Sequence, residues 1–157
     1  NVVWVCHALT ANSDVSDWWS GLIERLFDPS DYFIICANMI GGCYGSTGPL
    51  SNNPKDGKPY FHGFPSLTNR DIVRSFDLLR QHLDIRGIHA LMGGSMGGQQ
   101  AIEWSIQSPE LISNLITVGT NAVHSPWGIA FNESQRMAIA SDPSWKDSSP
   151  GAGKIGM

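Results

Sequence analysis

The chain has 157 residues, with 10 Lys and Arg against 14 Asp and Glu for a formal charge of −4, and is 41% hydrophobic. That balance excludes a disordered chain, and sparse, scattered cations exclude a nucleic-acid surface. No apolar run approaches the roughly 18 residues of a membrane span, and residues 1–6 lack a signal peptide's basic start and cleavage pattern, so a soluble intracellular domain with no membrane partner is expected. The odd set of three cysteines (Cys6, Cys36, Cys43), two of them in apolar runs, reads as reduced thiols rather than disulfides or metal ligands.

Four short, nearly continuous apolar runs, 2–6, 32–37, 88–92 and 115–118, predict parallel strands covered on both faces. Between them lie helical patterns. The first spans 18–27. The second carries Ile72, Phe76, Leu79 and Leu83 on one stripe and starts at Thr68 with Asp71 as a capping pair. The third follows Ser95 and stops near Gln107, ahead of Ser108-Pro109. This alternation predicts an α/β fold with a doubly wound, mainly parallel sheet. Residues 38–66, with six glycines and four prolines, break the rhythm, and a loop of that length is usually functional. A further helical pattern over 128–140 does not continue the alternation. Only four strands are visible and the last stretch closes on no element, so a piece of a larger domain is expected.

The chemistry centres on Leu91-Met92-Gly93-Gly94-Ser95-Met96-Gly97-Gly98, directly after a predicted strand and before a helix. Gly-x-Ser-x-Gly in that setting is a nucleophile elbow, in which the glycines relieve collisions and the serine hydroxyl is lifted above the sheet edge. The plainer alternative is a glycine-rich phosphate turn, but neither dinucleotide nor P-loop spacing is present. Cys6-His7-Ala8-Leu9-Thr10 ends the first strand, where this fold places an oxyanion loop. The backbone N–H groups of Leu9 and Met96 are the expected oxyanion donors. His7 reads as a brace for that loop rather than a proton carrier. Adjacent Cys6 and His7 point to opposite faces of a strand and do not suggest a metal site.

A Ser–Asp–His order does not close within the sequence. After Ser95 the one histidine is His124, Asp142 and Asp147 follow it, and Glu103 and Glu110 belong to the helix after the elbow. The acid and base are expected outside these residues.

Several stretches together resemble the homoserine O-acetyltransferases, acyl-transferring members of the α/β-hydrolase fold. They are His7-Ala-Leu-Thr10, Cys36-Ala-Asn-Met-Ile-Gly-Gly-Cys-Tyr-Gly-Ser-Thr-Gly-Pro49, Phe64-Pro65 with Thr68 and Asp71, and Gly93-Gly-Ser-Met-Gly-Gly98. Glu103-Trp104, His124-Ser-Pro-Trp127, Phe131-Asn-Glu-Ser-Gln-Arg136, Asp142-Pro143 and Trp145 extend the match. The resemblance implies a hydrolase core over 1–136 and the start of an inserted helical lid over 137–157. It implies transfer of an acetyl group from acetyl-CoA, as co-substrate with no bound cofactor, through Ser95 to L-homoserine. It further implies a cytoplasmic homodimer in methionine biosynthesis. A serine esterase, a relative specific for succinyl-CoA or L-serine, and a non-catalytic remnant stand as alternatives.

Overall fold

The computed structural model describes residues 1–154. Four parallel strands, β1 (Val2–Cys6), β2 (Phe33–Cys36), β3 (Ala90–Gly94) and β4 (Leu115–Val118), form one sheet in the order β2-β1-β3-β4. β1 and β4 lie where the sequence predicts them. β2 is trimmed at both ends. β3 is displaced by two residues, because pairing continues through Gly93 and Gly94 against Thr117 and Val118 while Ile88 makes an isolated bridge to Ile112. Glycines without side chains hide the end of a strand from a hydropathy reading.

Alternation along β1 shows why its apolar run is unbroken. Trp4 and Cys6 enter one core with Ile72, Val73 and Phe76 of helix α3 (Asn69–His82) and Ala101 and Trp104 of helix α4 (Met96–Gln107). Val3 and Val5 enter the opposite core with Val15 of α1 (Val15–Trp18), Ile23 of α2 (Ser20–Arg25) and Phe27. A strand buried on both faces has no polar side to show, and the doubly wound α/β fold is observed. In the first core, Trp4 and Trp104 meet at 5.0 Å and 85°, an edge-to-face pair, with Phe76 6.0 Å from Trp4.

The single helix predicted over 18–27 is instead two short helices, broken at Trp19 (φ −132°). Consecutive positions on one helix face different directions, and the break allows the adjacent indoles of Trp18 and Trp19 both to pack on the second core. Helix α3 begins as predicted. The Thr68 hydroxyl accepts from Asp71 N–H and the Asp71 carboxylate accepts from Thr68 N–H at 2.9 Å. The Thr68 hydroxyl also donates to the Asp71 carboxylate at 2.7 Å, and that bond first, then the one from Thr68 N–H, holds the Asp71 carboxyl below the usual carboxylate range. The resulting stabilisation is present above that range and lost as pH falls through the lowered value. Arg70 joins α3 to α4 through Glu103 at 2.8 Å.

Residues 1–46 with 66–122 form one compact unit, and residues 47–65 with the segment from Val123 onward form a second. Within the second unit, helix α5 (Pro126–Ser141) starts two residues earlier than its apolar pattern. Ser125 accepts from Gly128 N–H and proline suits the first helical position. α5 buries none of its residues, and it runs through the expected 136/137 boundary. His62 Nε2 lies 2.7 Å from the Trp145 carbonyl, with the rings 4.5 Å apart. Among the described residues no helix is long and apolar enough to cross a membrane.

Two predictions follow from these cores. Trp104→Ala, at a fully buried position, should cost about 3–5 kcal/mol of stability in urea unfolding, the range for emptying a large aromatic site. The Cys6 and Cys36 thiols are free and both are pushed up by burial, Cys36 to about 12. Alkylation requires the thiolate, so native protein at pH 8 should label at the exposed Cys43 and not at Cys6 or Cys36. All three should label after denaturation, as counted by intact mass.

Candidate active site

β3 delivers the chain to Ser95, and α4 begins at the next residue. Ser95 has φ 52° and ψ −122°, a backbone conformation that side chains rarely adopt. Its N–H donates to the Val118 carbonyl at 3.0 Å, and its carbonyl accepts from Gly98 N–H at 3.0 Å and from the Thr120 hydroxyl at 2.7 Å. The flanking glycines are required by contact. A Cβ on Gly93 would lie 2.3 Å from the Gly97 carbonyl carbon, and a Cβ on Gly97 would lie 2.0 Å from the Cys6 carbonyl oxygen. Both obstacles are backbone and cannot swing aside. Ser95 itself is exposed, at the positive end of a helix of 12 residues.

The loop after β1 is braced from inside. His7 is 2% exposed. Its Nε2 lies 3.2 Å from Met39 N–H and its Nδ1 lies 2.8 Å from the Ala8 carbonyl. Since a backbone N–H only donates, Nε2 accepts, and the Nδ1 proton goes to Ala8. Both ring nitrogens are committed to the backbone, and none is left for Ser95. Met39 Sδ in turn accepts from Gln100 Nε2 of α4 at 3.5 Å. One neutral imidazole thus ties the loop carrying Leu9 to the loop after β2, and through Met39 to the helix carrying Met96.

Met96 N–H is the first amide of α4 and has no carbonyl one turn earlier to receive it. Leu9 lies in the turn beyond His7 and is 68% exposed. Among the described residues Ser95 makes its hydrogen bonds through the backbone, with no histidine or carboxylate on its hydroxyl. His89 immediately precedes β3, where its ring lies 5.8 Å from that of Tyr32. His62 and His124 belong to the second unit.

Sequence reasoning missed the segment Gly119-Thr120-Asn121. Gly119 turns with φ 56°, Thr120 reaches the Ser95 carbonyl, and the Asn121 side chain accepts from Gln99 Nε2 at 3.0 Å. No spacing or composition marks these residues, since their relation to Ser95 exists only once β4 lies beside β3.

An elbow serine between β3 and α4, a braced loop after β1 and a doubly wound parallel sheet together define a class. The model of the alpha/beta hydrolase fold family matches residues 1–154, and the chain belongs to that family. Within it, the chain is 54% identical over 159 residues to a homoserine O-acetyltransferase of Cyclobacterium marinum, covering 100% of this chain and 45% of that protein. The solved structure of homoserine O-acetyltransferase from Bacillus anthracis superposes with a TM-score of 0.88 at 32% identity, over 99% of this chain and 48% of that one. An acetylester hydrolase from Corynebacterium glutamicum gives 0.83 at 28% identity, over 99% and 45%. The chain therefore spans a little under half the length of the relatives it matches.

Because the obstacle at Gly97 is the Cys6 carbonyl, Gly97→Ala should force β1 and α4 apart. The expected result is loss of soluble folded protein, read by expression yield and circular dichroism. A well-folded Gly97→Ala variant would show that the approach can relax.

Proposed function

We propose that the full-length protein is a homoserine O-acetyltransferase. The observation that carries this reading is the strained Ser95 backbone, held between contact-required glycines in a chain 54% identical to an enzyme of that name. Ser95 Oγ attacks the thioester carbonyl of acetyl-CoA and yields its proton to a histidine base oriented by an aspartate. Both lie, on this reading, in the part of the protein that the longer relatives have and these residues do not. The Leu9 and Met96 N–H groups receive the oxyanion. Coenzyme A leaves as its thiol and the acetyl group stays on Ser95. The L-homoserine hydroxyl then attacks the acyl-serine, giving O-acetyl-L-homoserine and free Ser95. Acetyl-CoA is a co-substrate, and the scheme needs no bound cofactor.

The same analogy makes the protein a cytoplasmic homodimer of methionine biosynthesis, with a helical lid opening over 137–157, of which 155–157 lie outside the described residues. Succinyl-CoA and L-serine are the donor and acceptor that closely related chemistry would substitute. A retired, non-catalytic fold would have no reason to retain a serine at φ 52°.

The likeness to an acetylester hydrolase favours one second reading, an esterase that passes the acetyl group to water. The two separate on full-length protein by following acetyl-CoA consumption. As a transferase, the protein should sustain turnover only with L-homoserine and, without it, gain one acetyl group on Ser95 by mass. Equal rates with and without homoserine would sink the transferase reading. Ser95→Ala should lower turnover by about 10⁴-fold or more, as removal of a covalent nucleophile does.

A further inference from the structure

We infer that Thr120 is the positioning residue for the oxyanion donor at Met96, acting through the peptide that joins Ser95 to Met96. The inference rests on the acyl-serine reading above. The Thr120 hydroxyl lies 2.7 Å from the Ser95 carbonyl oxygen, and a carbonyl only accepts, so the hydroxyl donates. The Ser95 carbonyl and the Met96 N–H belong to one peptide unit. That unit is planar and trans, with the two groups pointing in opposite directions. Fixing where the carbonyl points therefore fixes where the N–H points, toward the place where charge appears on the substrate oxygen.

The other donors to the Ser95 carbonyl cannot do this. Gly98 N–H at 3.0 Å and Gln99 N–H at 3.3 Å come from the first turn of α4 itself, so they move with the helix they begin. Thr120 comes from outside. It is attached to β4 through Gly119, whose φ of 56° turns the chain back toward the elbow. Val118, two residues earlier, accepts from Ser95 N–H at 3.0 Å. The peptides on both sides of the strained serine are thus anchored to one short segment.

That segment has little slack. A Cβ on Gly98 would lie 2.6 Å from Thr120 Cβ and Cγ2, which measures how closely Thr120 is seated on α4. Asn121 adds a second tie, to Gln99 at 3.0 Å. A hydroxyl proton on the carbonyl also polarises the peptide and strengthens its N–H as a donor.

The oxyanion exists in the transition state and not in bound acetyl-CoA. Loss of aim should therefore lower kcat and leave KM nearly unchanged. The test uses full-length protein with acetyl-CoA and L-homoserine, comparing Thr120→Val, which keeps the shape without the hydroxyl, with Thr120→Ser, which keeps the hydroxyl without the methyl. Thr120→Val should lose about 10-fold to 100-fold in kcat with KM within about twofold, while Thr120→Ser stays near wild type. Wild-type kcat in Thr120→Val, or equal losses in both variants, would overturn the inference. If Thr120→Val does not fold, Thr120→Cys, a weak donor, replaces it, and a kcat equal to that of Thr120→Ser overturns it likewise. Absence of acetyl on Ser95 in the wild-type protein is seen before any variant is made, and it would bring down the acyl-serine reading together with this one.

Discussion

The backbone of α4 comes so close to the end of β1 that no side-chain atom fits between Gly97 and the Cys6 carbonyl, where a Cβ would stand 2.0 Å from the oxygen. Everything in the site hangs on that approach. It brings the first amides of α4 beside the loop that leaves β1, and it forces Ser95 into a turn sharp enough to leave φ at 52°. It also fixes what must surround the turn. Gly93 is bare because Gly97 lies against it, and Gly98 is bare because Thr120 does. The strain at Ser95 persists because Val118 of β4 and Thr120 just beyond it hold its two backbone polar groups.

The same closeness explains what could be read in advance. The glycines announced the elbow because close approach of backbone can be met by one residue type alone. The apolar run of β1 announced a strand covered on both faces, by Trp4 and Cys6 on one side and Val3 and Val5 on the other, whereas β4 lies where its run predicts but is exposed at all four residues rather than covered. Thr68 with Asp71 announced the start of α3 because a capping box is local in sequence. What stayed illegible was non-local or lacked a hydropathy signal. The end of β3 runs through glycines, the break at Trp19 answers to two indoles sharing one core, and the bonds of Thr120 and of His7 with Met39 join residues 25 and 32 positions from their partners.

His7, Met39 and Gln100 make a second framework below the first. A neutral imidazole with both nitrogens engaged sets the loop after β1 at a fixed height relative to the loop after β2, and the Met39 sulfur carries that setting to α4. The proposed nucleophile and its two proposed amide donors need this kind of rigidity more than they need many side chains. The likeness both to acetyltransferases and to an acetylester hydrolase follows from the same point. On the proposed reading, these residues carry the nucleophile and the oxyanion donors of an acyl-serine step that the two chemistries share. The fate of the acyl group depends on what reaches it next, and on whether water is kept away.

Apart from the Ser95 hydroxyl, the groups among these residues proposed to take part in the reaction are main-chain amides. Leu9 is 68% exposed, and Met96 is placed by what holds its peptide. Replacing the side chain of Leu9 or Met96 therefore leaves the two proposed donors in position, and an alanine scan would miss both of them while reporting Ser95, Thr120 and the glycines that contact requires. The rest of the centre is written in the backbone. It yields to chemistry that edits the backbone, such as exchanging the Met96 amide for an ester, which deletes the donor and leaves every side chain as it was.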